Sequence, residues 1–304
     1  MKSTNIFLIA GGTGLVGTAL TEHLKNQGHE VRILSRQPSD KASGIYHWDP
    51  QAETFDTEAL EHVDTIINLV GAGIADKRWT EKRKKELIDS RVLPTKFLAK
   101  YAKDCSTLEQ YISASGINCY GYEHYDRKHI ESDPFGTDYL SQVVQKWEEA
   151  ADTFATFTKV TKVRISVVLS ADGGALPKIA GPIKSYVGAP LGSGKQWMPW
   201  ITITDLARVF EHLAINRLEG AYNTLSGNET NKNVTKILAK SLSKPLWLPN
   251  VPGFFLKLVL GEMSSVVLKG LQADPQKLID TGFKFKHETL QEAFSAVYDQ
   301  GGKE

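Results

Sequence analysis

A short apolar run, Ile6-Phe7-Leu8-Ile9-Ala10, followed at once by glycines at 11, 12, 14 and 17, constrains this chain more than any other feature. Behind it comes a helical pattern, Thr18-Ala19-Leu20-Thr21-Glu22-His23-Leu24-Lys25, closed by Gly28. The order strand, tight glycine turn, helix aims a helix N-terminus at whatever lies over the turn. Such a terminus carries unpaired N–H groups and roughly half a positive charge, which suits a pyrophosphate. Gly11 permits the tight turn, Gly14 lets the backbone approach a ligand closely, and Gly17 lets the helix pack on the strand. The expected cofactor turn is Gly11, Gly12, Thr13, Gly14, Leu15, Val16 and Gly17.

The next strand selects the dinucleotide. His29 to Leu34 ends in Ser35-Arg36, with no Asp or Glu between Val31 and Gln37. An acidic residue there takes the ribose hydroxyls of NAD, whereas an Arg accommodates the 2′-phosphate of NADP. Guanidinium and phosphate make a charge-assisted, often bidentate contact, so Ser35 and Arg36 predict NADP(H).

Composition narrows the class. At 304 residues the chain has room for one large core or two unequal ones. Its 36 Lys and Arg balance 35 Asp and Glu, which predicts neither a nucleic-acid nor a membrane partner. Cys105 and Cys119 form no disulfide framework and fit a reducing compartment. A strand beginning at residue 6 leaves no room for a signal peptide, so a cytoplasmic location is expected. Phe254 to Leu271 is apolar but broken by Lys257, Glu262 and Lys269, and reads as an amphipathic helix. The cysteines and the eight histidines lack ligand spacing, so no metal is expected. Hydrolase and NTPase readings fall away because no Gly-x-Ser-x-Gly elbow and no Gly-Lys-Ser/Thr turn occurs.

Further along, strands and helices alternate. Gly44 to Trp48 reads as a third strand, and Val63 to Val70 as a fourth opening into Gly71-Ala72-Gly73. A charged helix follows from about Thr80 to Cys105, its run from Asp76 to Lys85 reading as a solvated face. Gln110 to Ser115 is a fifth strand, 137–158 a helix, and Val160 to Leu169 a sixth strand. This repetition predicts an α/β protein, a Rossmann-like doubly wound parallel sheet. Beyond 169, Gly and Pro become frequent, as expected of chain capping the cleft at the carboxyl ends of the strands. Trp200 to Leu213 reads as a strand and helix rejoining the sheet, and 236–304 as mostly helical. The expected domains are 1–169, rejoined by about 200–235, for the nucleotide, and 170–199 with 236–304 as a smaller, mostly helical substrate cap.

The strand ends resemble those of the extended and atypical short-chain dehydrogenase/reductases over nearly the whole chain. The matching residues are Gly11 to Gly17, Asn68-Leu69-Val70-Gly71, Ser113-Ala114-Ser115 with Tyr120-Gly121, and Trp200 to Leu206. Lys77-Arg78-Trp79-Thr80, Ser90-Arg91-Val92, Trp147-Glu148, Gly192 to Gln196 and the ending Asp274 to Phe285 resemble the "epimerase family" branch, whose C-terminal domain has no known function. The resemblance implies a Tyr with a Lys four residues later on the helix after the fifth strand, the Lys lowering the Tyr pKa. An unperturbed phenol, near 10, is a poor base at neutral pH. Here Tyr139 is followed by Val143 at that position, and Lys146 lies about 10 Å further along the helix. Tyr139 is therefore either the catalytic phenol or a packing residue.

The resemblance also implies a hydroxyl on the reacting oxygen from Ser115, and Tyr120 as a second candidate acid. Val70, Gly71 and Ala72 are small enough to let backbone approach the cofactor ribose. Asp49 either meets the adenine amino group or closes an Asx turn before Pro50. Arg78, Trp79, Arg91, Gln196 and Trp200, with Trp197 beside them, are the candidate substrate contacts; the alternative is that the arginines are salt-bridged at the surface and the tryptophans packed in the core. The expected function is an NADP(H)-dependent oxidoreductase or epimerase acting on a small polar metabolite such as a nucleotide sugar, as a monomer or homodimer. The alternative is a non-catalytic NADP(H)-binding redox sensor, to which the absent Lys points.

Overall fold

The computed structural model describes residues 4–122 and 127–299. Its strands are β1 (Ile6–Ala10), β2 (Glu30–Ser35), β3 (Ile45–Asp49), β4 (Thr54–Phe55), β5 (Thr65–Asn68), β6 (Gln110–Gly116) and β7 (Lys128–His129). β8 (Lys159–Ile165), β9 (Val167–Leu169), β10 (Trp197–Thr202), β11 (Gly220–Thr224), β12 (Gly227–Thr230) and β13 (Gln272–Ala273) follow. The helices are α1 (Leu15–Asn26), α2 (Glu81–Ala102), α3 (Tyr139–Ala151), α4 (Ala175–Lys184) and α5 (Ile203–Ile215). After these come α6 (Asn231–Ser241), α7 (Gly253–Leu260), α8 (Ser265–Leu268), α9 (Gln276–Asp280) and α10 (Leu290–Asp299).

Eight strands form the central sheet in the order β11-β8-β6-β5-β1-β2-β3-β4, parallel except for β4. The chain runs outward from β1 to β2 and β3, then returns to β5 on β1's other side. That reversal opens a crevice at the carboxyl ends of β1 and β5, where doubly wound sheets bind ligands. Parallel strands covered on both faces read as continuous apolar runs, and β1 obeys: Phe7, Leu8, Ile9 and Ala10 are all fully buried. Phe7 and Ile9 join α1 and α5 in one core, while Leu8 and Ala10 face Phe97 and Leu98 of α2 in another. The Rossmann-like sheet expected from the alternation is thus present.

Two readings need correction. The apolar run from Val160 to Leu169 is not one strand: β8 stays in the central sheet, whereas β9 leaves it after Ser166. β10 pairs with β9 and β12 in a separate three-stranded sheet and does not rejoin the first. The open edge of β8 is taken by β11, with Tyr222 opposite Val163, so none remains for β10. α5 does return, packing on α1. α4, α6 and α10 cover the second sheet, around Leu176, Trp200, Leu238 and Phe294.

The expected amphipathic helix over 254–271 is broken at Gly261, whose φ of +60° suits glycine, and α7 buries none of its residues. Residues 300–304 of the expected helical C-terminus lie outside the described residues.

Candidate functional site

The glycine turn ends β1 at the crevice. Gly11 has φ +82°, and a methyl group on Gly17 would sit 2.2 Å from the Gly11 carbonyl oxygen. Gly14 is the N-cap of α1; no side chain caps it and no acidic residue occupies the first turn. The α1 terminus therefore keeps its positive end for a ligand. Thr13 and Gly14 are exposed, Leu15 and Val16 half-buried, and Gly12 packs against Ile33. At the end of β2, Ser35 Oγ accepts from Gln37 N at 3.1 Å. Arg36 beside it is exposed and makes no ion pair among the described residues. Asp49 Oδ1 accepts from the N–H groups of Gln51 (2.9 Å) and Ala52 (3.3 Å), the Asx turn of the two readings.

Past β5 the chain forms a loop that α2 holds by its backbone. Asn68, fully buried, donates to Thr95 and Tyr111 and accepts from Val70 N. Ala72 N donates to Ser90 Oγ at 3.0 Å, and Ala72 O accepts from Arg91 Nη2 at 3.0 Å. Gly73 O accepts from Arg83 at 2.6 Å and Ile74 O from the Trp79 indole at 2.9 Å. A methyl group on Gly71 would lie 2.9 Å from the Arg91 guanidinium.

The run from Asp76 to Lys85 is solvated as expected at Asp76, Lys77, Arg78, Glu81, Lys82 and Lys85, but Arg83 within it and Arg91 beyond it turn inward. Arg83 and Arg91 are 7% and 5% exposed, because the loop carbonyls need donors there. Arg91 pairs with no carboxylate among the described residues; it lies 4.8 Å over the Trp147 ring and its Nε is buried without an acceptor. Burial lowers its pKa to about 10. Trp79 and Arg91, expected at the substrate, are thus turned to their own backbone, while exposed Arg78 lies against Gly261.

Tyr139 opens α3, half-buried behind the N-cap Asp138. Its hydroxyl donates to Lys84 O at 2.8 Å, Trp79 meets its ring edge-on at 5.0 Å, and the Lys84 ammonium lies 5.5 Å over the ring. Lys84 also pairs with Glu262 (2.8 Å) and Glu81 (3.0 Å), which together raise its pKa. Burial raises the Tyr139 phenol above its ordinary value; Arg91, then Lys84, oppose that rise. Val143 is a core residue, and Lys146 is exposed to solvent.

Ser115 and Tyr120 belong to a different set. Ser115 Oγ donates to Glu148 at 2.6 Å, and Glu148 takes both Nε and Nη2 of Arg164 at 2.9 and 3.0 Å. Arg164 Nη1 donates to the Tyr120 hydroxyl, which donates to Asn223 at 2.7 Å. Burial pushes the Tyr120 phenol well up. Burial also works against the Arg164 charge, but Glu148 more than offsets it and the guanidinium is held above its ordinary range. The structure therefore brings Tyr139 together with Trp79 and Lys84, and Ser115 with Tyr120.

Gln196 staples two loops, donating to Leu191 O (3.0 Å) and Val267 O (2.8 Å). Trp200 is a fully buried core residue of the second sheet. Sequence reasoning missed Asn68, Lys84, Ser90, Glu148 and Arg164 as site members. Asn68, Ser90 and Glu148 did stand inside the quoted motifs, where a polar residue in an otherwise buried stretch was the signal. No group of side chains placed to hold a metal, and no helix long and apolar enough to cross a membrane, occurs among the described residues.

Known proteins agree with this architecture. Residues 7–224 match the NAD dependent epimerase/dehydratase family, and residues 251–297 match a domain of unknown function, DUF1731. The mouse epimerase family protein SDR39U1 is 34% identical over 297 residues, covering 95% of this chain and 98% of its own. The crystal structure of human SDR39U1 (isoform2) with NADPH superposes with TM-score 0.86 at 30% identity, covering 97% of this chain and 99% of that one. A nucleoside-diphosphate sugar epimerase from Corynebacterium glutamicum gives TM-score 0.79 at 28% identity, with 96% of this chain and 58% of that chain covered. The resemblance read from the motifs is met in both the family and its C-terminal domain.

Proposed function

This chain belongs to the NAD dependent epimerase/dehydratase family, and on that premise we propose that it is an NADP(H)-dependent oxidoreductase or epimerase acting on a nucleotide sugar or a similarly small polar metabolite. The observation that carries the reading is the glycine cradle: a methyl group at Gly17 would strike the turn itself, and the α1 terminus above it is left uncapped. The NADPH of the human relative and the substrate named for the Corynebacterium protein support the two halves of the proposal.

When bound, the cofactor supplies or takes up hydride. Gly11 to Gly17 cradle its pyrophosphate, Ser35 and Arg36 meet the 2′-phosphate, and Val70 to Ala72 border its ribose. Tyr139 holds the proton that the substrate oxygen gains or loses. Lys84 and Arg91 favour the phenolate from outside α3, standing in for the cation that Val143 does not provide. Asn68, Ser90 and Arg91 keep the loop in its binding shape. Ser115 and Tyr120 act as positioning residues through Arg164, which ties α3 to the ends of β6 and β8. The division of the chain at residue 169 and a cytoplasmic location belong to the same reading.

A redox sensor is the second reading, favoured by Val143 and by the engaged hydroxyl of Ser115. Calorimetric titration with NADPH and NADH tests the cofactor, and NADPH consumption across nucleotide sugars tests turnover. The enzyme reading expects tight NADPH, weak NADH, and a Tyr139→Phe variant that binds NADPH normally but turns over at least a hundredfold more slowly. A sensor binds NADPH and turns over nothing. A chain that binds neither nucleotide ends both readings.

A further inference from the structure

The near-neutral total charge conceals a one-sided surface. Residues 173–204 contain three lysines and residues 230–261 five, with not one Asp, Glu or Arg in either. Subtracting these eight from the 36 basic residues leaves 28 to face 35 acidic ones in the rest of the chain. The two segments adjoin in space. The Trp247 indole donates to Tyr186 O at 2.9 Å, Lys244 donates to the Tyr186 hydroxyl at 2.7 Å, Leu191 bridges to Val251, and Lys232 N donates to Gly194 O. On α6, Lys232, Lys236 and Lys240 repeat every four residues along the exposed side, opposite buried Val234 and Leu238.

The same two segments hold seven of the eleven large apolar residues that stand exposed among the described residues. Leu258 is 75% exposed, Phe254 74%, Trp247 66% and Val187 56%. Exposed aromatic and aliphatic tips among lysines, with Asp76, Glu229 and Glu262 at the margins, match the interface of an anionic bilayer. There the apolar tips enter the headgroup layer while ammonium groups meet phosphates.

We propose that this face docks the protein onto an anionic phospholipid surface. α7, at eight residues, is too short to span a membrane and suited to lie within its interface. A second copy fits less well, because a two-fold contact sets the patch against itself, lysine to lysine. α7 ends at Gly261 beside Arg78, and Glu262 after it pairs with Lys84, so the face adjoins the candidate site without supplying the residues proposed to hold the cofactor.

Sedimentation of the full chain with vesicles tests the proposal. Binding is expected to mixed phosphatidylcholine/phosphatidylglycerol vesicles at low salt, and to fall sharply in high salt or on pure phosphatidylcholine. Each lysine contributes about fivefold to partitioning, so Lys236→Glu with Lys240→Glu should cost more than tenfold. Phe254→Ser with Leu258→Ser should release the protein as well. All four changes are at exposed positions, so an unchanged melting temperature and NADPH affinity verify the fold. Absence of vesicle binding at low salt overturns the proposal, as does binding that none of these variants weakens. Two other outcomes reassign the face: lipid-free self-association abolished by the serine pair, to a second copy, and retention on polyglutamate without vesicle binding, to an acidic protein.

Discussion

α2 and α7 invert the usual relation between composition and burial. α2 is crowded with charge, yet Arg83 and Arg91 are among its buried residues; α7, Gly-Phe-Phe-Leu-Lys-Leu-Val-Leu, is almost wholly apolar and buries nothing. The loop beside α2 presents backbone carbonyls that must find donors, and long cationic side chains reach them. Among the described residues α7 finds little apolar surface to cover, with Leu256 and Leu260 only half-buried. Hydrophobicity therefore states what a residue can tolerate, while the needs of its neighbours decide where it goes. One helix is polar because it serves the loop from within, and the other is apolar and exposed, the observation on which the proposed docking face rests.

The contrast can be broken from the buried side first. Arg164→Met leaves buried Glu148 charged with only the Ser115 hydroxyl and a Lys162 ammonium 4.0 Å away, which should cost about 3 kcal/mol in urea denaturation. A loss below about 1 kcal/mol would mean the pair is solvated. Arg91→Met should behave otherwise, because removing an unpaired buried cation relieves desolvation while freeing the loop. Stability should change little and NADPH affinity by calorimetry should weaken roughly tenfold, the worth of one charge-assisted hydrogen bond. An unchanged affinity would detach α2 from the cofactor site.

The pH profile sharpens the role of Tyr139. Its phenol pKa is raised by burial, so it is protonated at neutral pH and ready to donate. Reduction, which consumes that proton, should run flat through neutral pH; oxidation, which needs the phenolate, should climb with pH. Lys84→Met removes a charge that favours the phenolate and should move the oxidation limb to higher pH. A limb that stays put would leave Lys84 a bystander. At the small end, Phe254→Ser in α7 should alter thermal stability by less than about 0.5 kcal/mol, since Phe254 is 74% exposed.

How far the sequence could be read depended on how local the cause was. The glycine turn was legible because the positive φ at Gly11 and the contact of Gly17 with Gly11 are settled within the turn, although Gly11 also lies against the Leu69 and Val70 backbone. The missing cation at Val143 was legible for the same reason. Its substitute was not: Lys84 reaches Tyr139 from 55 positions away, on a helix whose charge reads as solvated. The break at Ser166 was equally silent, because Val160 to Leu169 stays β-forming on both sides of it. What keeps β10 out of the central sheet is β11 on the edge of β8, a fact held elsewhere in the chain. Asp49 was undecidable from its neighbours alone, and the local turn claimed it.

That same edge governs how the protein can be born. During synthesis β8 emerges with one side paired to β6 and the other bare, and its partner β11 arrives only after the whole of β10 and α5 has left the ribosome. Through that interval the nascent chain presents an open strand edge, the template on which misassembly begins. The central sheet is closed by a strand translated long after the cofactor turn at its heart, so a chain stopped before Gly220 has its glycine cradle and still lacks a finished fold.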